Sequence, residues 1–289
     1  MNANSLFDKD TKKNVFIKLM NIAGIGYYIK HENTGLGNIL FQIASGMSYA
    51  IKNNAKLNII DINNYVKMEN IDTNNHILRR IDLTIDYNEY NKLINESPIT
   101  GETYEEYIFN HTFYNNIVFN NHLENYNNFE DIKYLIMYYF SPTKNDISYI
   151  LSKYQFILDD DICSIHIRLG SDYRTIYDKN YIMELEQNYI KCINHVISVK
   201  NIKKFFVFTN DREYSMSFLT NLNLNGIQYF YSNEKDYVDI WMISLIKNNI
   251  VSVSTLSWWG SYLNNNKNRY IVCCKGNRDN LHYTDWVVI

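Results

Sequence analysis

The chain has 289 residues, 46% of them hydrophobic and 20% charged, so it can bury one large core or two ordinary ones, and a disordered chain is excluded. A formal charge of -3 at pH 7 leaves no basic surplus to favour nucleic acid or an anionic membrane. No run of 18 apolar residues exists, and the polar start MNANSLFDKDTKKN has no signal-peptide core, so a cytoplasmic protein without a membrane span is expected.

In chain order, NVFIKLM, 14 to 20, reads as a strand. Gly35 and Gly37 precede a helix over about 38 to 52, where Leu40, Phe41, Ala44 and Met47 recur at helical spacing. KLNIID, 56 to 61, reads as a second strand. Residues 62 to 155 are rich in Asn and Tyr, with a weak helix near 87 to 95 and apolar-aromatic segments near 107 to 119 and 131 to 140. Beyond Tyr154 the pattern sharpens. Strands are predicted at 163 to 169, 204 to 211, 226 to 232, 249 to 255 and 268 to 274. Helices are predicted at 181 to 199, at 237 to 248 and over LSWWGSYLNN. Such alternation predicts an α/β fold with a parallel sheet covered on both faces. A boundary near 150 to 160 divides the chain into domains 1 to 155 and 156 to 289.

Ligands of such sheets sit beyond the C-terminal strand ends. Four of those ends are polar here: Arg168 to Asp172, Thr209 to Asp211, Ser254 to Ser257, and Lys275 with Asn277. In CSIHIRLGSDY, the apolar Cys163, Ile165, Ile167 and Leu169 alternate with Ser164, His166 and Arg168, so His166 and Arg168 share a face and read as rim residues. Arg168 offers a planar, permanently charged fork that fits a phosphate; an ion pair with Asp172 is the structural alternative. Any of Ser254, Thr255 and Ser257 can cap the following helix, whose free N–H groups suit phosphate; the structural alternative is a plain cap with Trp258 and Trp259 in the core. GLGN, 35 to 38, can let backbone approach a ligand or form a tight turn.

Asp159, Asp160 and Asp161 precede a strand, so a solvated turn is favoured over a metal-binding D-x-D. No HExxH or G-x-S-x-G is present, which disfavours zinc and serine-hydrolase chemistry. His195 reads as a surface or packed histidine. The four cysteines, at 163, 192, 273 and 274, form no CxxC and read as reduced thiols or core fillers.

Together these blocks resemble the GDP-fucose-dependent fucosyltransferases. IHIRLGSDY looks like their H-x-R-R-x-D signature. GLGNILFQIASGMSYA is similar to the G-G-L-G-N-Q-x-F-Q-Y-A start of glycosyltransferase family 11, the α1,2-fucosyltransferases. VFTNDREY and YVDIWMISLIKNNIVSVSTLSWWGSYLN resemble that family's F-S-D-D strand end and its block ending in S-S-F-S-W-W-G-A-W-L. Leu169 stands where a second Arg is usual, Ser171 is inserted before Asp172, Ile39 replaces a Gln, and Asn248 and Val253 replace a His and an Asn.

The resemblance implies two Rossmann-like domains facing across a cleft, the GT-B arrangement, and no metal. It implies inverting transfer of L-fucose from GDP-fucose to a glycan acceptor, with galactose the commonest acceptor sugar. His166 would then lie near the nucleoside, Arg168 on the β-phosphate, and Asp239 on the guanine or ribose. Thr209 and Asp211 would lie near the nucleoside. Ser254, Thr255 and Ser257 would cap the diphosphate. Gly35, Gly37 and Asn38 would serve the sugar side. Asp172 is a candidate general base, or an orienting partner of Arg168. Another nucleotide-sugar donor, or a degenerate transferase that binds without turnover, are the alternatives.

Overall fold

The computed structural model describes residues 13–18, 35–60, 76–81, 84–85, 87–96, 101–102, 116–119, 123–273 and 281–289. Contacts divide the chain into two compact units, Met1–Ser141 and Pro142–Ile289.

The first unit carries strands β1 (Asn14–Lys18), β2 (Lys56–Ile60), β3 (Thr84–Ile85), β4 (Gly101–Glu102) and β5 (Asn116–Phe119), and helices α1 (Leu36–Lys52), α2 (Tyr87–Glu96) and α3 (Lys133–Phe140). The strands form a parallel sheet in the order β3-β2-β1-β5-β4. Side chains alternate across it as strand geometry requires. Phe16 packs with Ile60, Ile85 and Val118 against Tyr90, Leu93 and Ile94 of α2. Ile17 meets α1, where a Cβ on Gly46 would come within 2.5 Å of it.

The second unit carries α4 (Lys144–Tyr154), β6 (Ile162–Ile167), α5 (Ser171–Ile176), α6 (Lys179–Lys200), β7 (Lys204–Thr209), α7 (Arg212–Asn221), β8 (Gln228–Tyr231), α8 (Asp236–Leu245), β9 (Asn248–Val251), α9 (Thr255–Tyr262), β10 (Tyr270–Cys273) and β11 (Val287–Val288). Helix α4 goes with this unit: Tyr149, Lys153 and Tyr154 all bond Glu234. Its six strands are parallel, in the order β11-β10-β9-β6-β7-β8. The chain runs outward from β6 through β7 to β8, then crosses to β9 on the other side of β6 and runs outward again. The order thus reverses between β6 and β9, the position where doubly wound sheets open a crevice at the C-terminal strand ends.

Most predicted elements lie within two residues of the observed ones. Helices α4, α5 and α7 were not predicted. The segment 107 to 115 lies outside the described residues. Among the described residues no helix is long and apolar enough to cross a membrane.

Candidate functional site

Strand β6 follows its alternation. Cys163, Ile165, Ile167 and Leu169 are all fully buried against Ile182, Leu185 and Tyr189 of α6. Ser164, His166 and Arg168 take the opposite face. The Ser164 hydroxyl pairs with the Asn249 side-chain amide at 2.6 Å.

His166 is not on the exposed rim that the sequence suggests. Strand pairing continues one residue past it, through Ile167 opposite Thr209, and only 6% of the residue is exposed. Its Nδ1 is buried without a hydrogen-bond partner. Burial, helped by the nearby Arg168 charge, pushes the imidazole pKa down to about 3, so the ring is neutral at physiological pH.

That shift has a signed consequence. Between about pH 3 and the ordinary histidine value near 6.5 the unfolded chain binds a proton that the folded chain refuses, so His166 lowers stability as pH falls through this window. We expect the urea midpoint of the wild type to drop more between pH 7 and pH 5 than that of His166→Asn. Equal drops would show that the imidazole is not held neutral. Asp239 contributes in the opposite direction. Its folded-state pKa is raised, so its contribution is present at low pH and is lost as pH rises.

Arg168 leaves the strand just past the last pairing. Its N–H donates to the Tyr189 hydroxyl at 3.0 Å, and that hydroxyl donates to the His166 carbonyl at 2.9 Å. Tyr189 thereby fixes the strand exit from α6. The sequence shows it only as one apolar position of an amphipathic helix. The Arg168 guanidinium carbon lies 5.1 Å from the Tyr173 ring centroid. A Cβ on Gly170 would lie 2.1 Å from the Asn210 side chain, so glycine lets the loop after β6 close on the loop after β7. Arg174 ties the same two loops, donating to the Leu169 carbonyl and to the Asp211 carboxylate, each at 3.0 Å.

Thr209 and Asp211 shape the second loop. Asp211 caps α7 by accepting from the Tyr214 N–H at 3.0 Å. The Thr209 hydroxyl accepts from the Asp211 N–H at 3.1 Å and pairs with the Ser215 hydroxyl at 2.6 Å. Asp239, in the first turn of α8, accepts from the hydroxyl of Ser232 just past β8. Burial, with Asp236 and Glu234 close by, raises its carboxyl well above the usual range.

The turn from β9 into α9 is a serine knot. Ser254 is the N-cap, accepting from the Leu256 N–H at 3.3 Å. The Ser257 hydroxyl accepts from the Ser252 N–H at 3.1 Å and donates to the Ser254 carbonyl at 2.9 Å. Ser257 is therefore an interior brace of the turn, and Ser252, absent from the sequence reading, is its partner. Thr255 opens the helix. Both tryptophans are buried, and the Trp258 indole N–H donates to the Leu281 carbonyl at 2.7 Å. A Cβ on Gly260 would lie 2.5 Å from Ile243 Cβ, so glycine is what lets α9 press against α8. SWWG, 257 to 260, is buried throughout, and the cap, Ser254, precedes it.

Three of the four predicted polar strand ends thus lie on neighbouring strands at one edge, Arg168 after β6, Thr209 with Asp211 at β7, and Ser254 with Thr255 after β9; Asp239 lies in the first turn of α8, which follows β8. The Asp172 side chain, Lys275 and Asn277 lie outside the described residues. Gly35, Gly37 and Asn38 belong to the first unit. Gly35 is the N-cap of α1, which starts at Leu36, and a Cβ on Gly35 would touch nothing within 4 Å.

Leu169 and Val253, which depart from the family pattern, follow the ends of β6 and β9 but turn inward. Leu169 and Val253 are core residues facing α6. Asn248 opens β9 at the far edge and bonds the Asp160 and Ile162 carbonyls. Asp159 and Asp161 pair with Lys204, and Asp160 with Lys247, at that same far edge, as the turn reading has it. Among the described residues no three His, Cys, Asp or Glu side chains converge as metal ligands. His195 packs on Tyr270, and Cys163, Cys192 and Cys273 are buried free thiols. Cys274 lies outside the described residues. A cavity of about 20 Å³, room for roughly one water, lies at the ends of β9 and β10 beside Ser252, His282 and Trp286.

No protein-family model matches the chain. An alpha-1,2-colitosyltransferase of Escherichia coli is 27% identical over 251 residues, covering 80% of this chain and 85% of that protein. The O-antigen biosynthesis glycosyltransferase WbnK of Escherichia coli is 27% identical over 134 residues, 43% of each chain. Among solved structures, POFUT1 in complex with GDP-fucose superposes with a TM-score of 0.55 at 11% identity, covering 92% of this chain and 99% of that one. The NodZ alpha-1,6-fucosyltransferase soaked with GDP-fucose gives 0.50 at 13% identity, covering 87% and 92%. The chain therefore has the fold of fucosyltransferases whose structures were determined with GDP-fucose.

Proposed function

We propose that the chain is an inverting, metal-independent glycosyltransferase that carries L-fucose from GDP-fucose to a sugar hydroxyl, in α1,2 linkage to galactose or a related sugar. One observation carries the reading. At the reversal point of a doubly wound sheet, a buried neutral imidazole with a bare Nδ1 lies one turn of strand from a guanidinium, and the neighbouring strand ends in a serine-capped helix. The two glycosyltransferase relatives and the two fucosyltransferase structures support it.

In this reading the nucleoside lies against His166, beside the Thr209 and Asp211 loop, and the Asp239 carboxyl serves the guanine or ribose. Arg168 and the Ser254–Thr255 end of α9 take the diphosphate. The C1–O bond to GDP breaks with oxocarbenium character, as in glycoside cleavage. Its electron pair passes to the β-phosphate oxygen, where Arg168 and the helix N-terminus meet the developing charge. The acceptor oxygen bonds to C1 from the opposite face, and its proton passes to a base. Asp172 is the candidate base or the residue that orients Arg168.

The test is incubation of the purified chain with GDP-fucose, a panel of disaccharides and EDTA, read by mass spectrometry. A gain of one deoxyhexose is expected. The colitosyltransferase relative favours a second reading, in which the donor sugar is colitose, fucose without its 3-hydroxyl. A site that hydrogen-bonds that hydroxyl rejects the deoxy sugar strongly, so competition between the two GDP-sugars separates the readings. GDP binding without transfer from either donor would leave a nucleotide-binding protein and contradict the proposal.

A further inference from the structure

We infer that Tyr173 is a positioning residue for Arg168, holding the guanidinium plane so that its N–H edge is preset for the donor diphosphate. This rests on the function proposed above.

Arg168 is anchored at both ends. Its backbone N–H is fixed to α6 through the Tyr189 hydroxyl at 3.0 Å. Its guanidinium lies 5.1 Å from the Tyr173 centroid, within cation–π range. Tyr173 is in turn backed by Tyr177, with centroids 4.9 Å apart, and Tyr177 by Tyr181 at 4.7 Å. Tyr181 sits in the first turn of α6, where its N–H bonds the Asp178 cap at 3.0 Å. The rings thus form a ladder from the guanidinium back to the helix that also grips the Arg168 backbone. The loop between closes on itself through the Arg174 bond to the Leu169 carbonyl.

Tyr173 and Tyr181 pack against the core, but Tyr177 between them is 39% exposed, so core filling alone does not account for the ladder. Its physical effect is specific to arginine. A ring over a guanidinium engages its flat face and not its in-plane N–H groups, which are the groups that bind phosphate oxygens as a fork. A lysine ammonium has no plane to hold. Preset donors stabilise developing charge better than donors that must reorganise.

The test is a double-mutant cycle on the full chain, with kcat/KM for GDP-fucose as readout and circular dichroism and unfolding midpoint as controls. Tyr173→Leu is expected to lower kcat/KM about tenfold, and Tyr173→Phe, which keeps the ring, by no more than about twofold. In an Arg168→Lys background, Tyr173→Leu is expected to cost no more than about a further twofold, because the plane it holds is gone. Equal losses in both backgrounds would mean that Tyr173 only supports the fold, and no loss in the wild-type background would mean that it does nothing for Arg168; either outcome overturns the inference alone. A wild-type chain that neither binds GDP nor transfers sugar overturns the functional reading, and the inference with it.

Discussion

Arg168→Lys lowers turnover about a hundredfold or more on this account, while leaving the fold intact. The side chain sits beyond the last pairing of β6, so the core does not depend on it. Lysine keeps the charge but loses the planar fork and the ring contact with Tyr173. A preset donor facing transition-state charge is worth roughly 3 to 4 kcal/mol, and each ~1.4 kcal/mol is tenfold in rate. The buried imidazole cannot substitute, because a pKa near 3 keeps it uncharged. Steady-state kinetics of Arg168→Lys check this, and near-normal turnover would remove Arg168 from the chemistry.

The second large effect is on stability. Trp258→Ala costs on the order of 3 to 5 kcal/mol, enough to threaten a fold of ordinary stability. Trp258 is 1% exposed, stacks on Tyr262 with centroids 4.7 Å apart and touches Trp259 and Trp286. Truncation also strands the Leu281 carbonyl that its indole N–H satisfies. Because Leu281 precedes β11, the loss should loosen the C-terminal strand as well. Urea denaturation measures the cost. A Trp258→Ala chain of wild-type stability but no activity would make the indole a ligand contact instead of a brace.

Much of this was readable in the sequence because one period carried it. The alternation in CSIHIRL gives the core face of β6 and puts Arg168 at its mouth. What the alternation cannot give is depth. His166 and Arg168 share a face, yet one is interior and the other is not, and the difference is where pairing with β7 stops. The serines of the β9–α9 turn were legible as caps, but which of them caps depends on the turn's own bonds. Ser254 takes the cap and Ser257 turns inward.

The missed helices have physical reasons too. Helix α4 is announced by a capping box, Thr143 with Asp146, but its face is largely polar, with only Ile150 fully buried. Helix α7 is short and mixes serine and threonine with its few apolar residues, so no apolar stripe stands out. The ladder has i, i+4, i+8 spacing from Tyr173 to Tyr181, but Tyr177 lies between two helices, so the spacing alone does not show that the rings meet.

The most direct measurement of the central claim is calorimetric titration of GDP, with EDTA present, into the wild type and into Arg168→Ala. A diphosphate held at the end of β6 predicts one GDP per chain and a Kd raised about tenfold or more in the variant, the loss of a charge-assisted hydrogen bond. Equal affinity in the two proteins, or binding that appears only when a divalent metal is added, would contradict it.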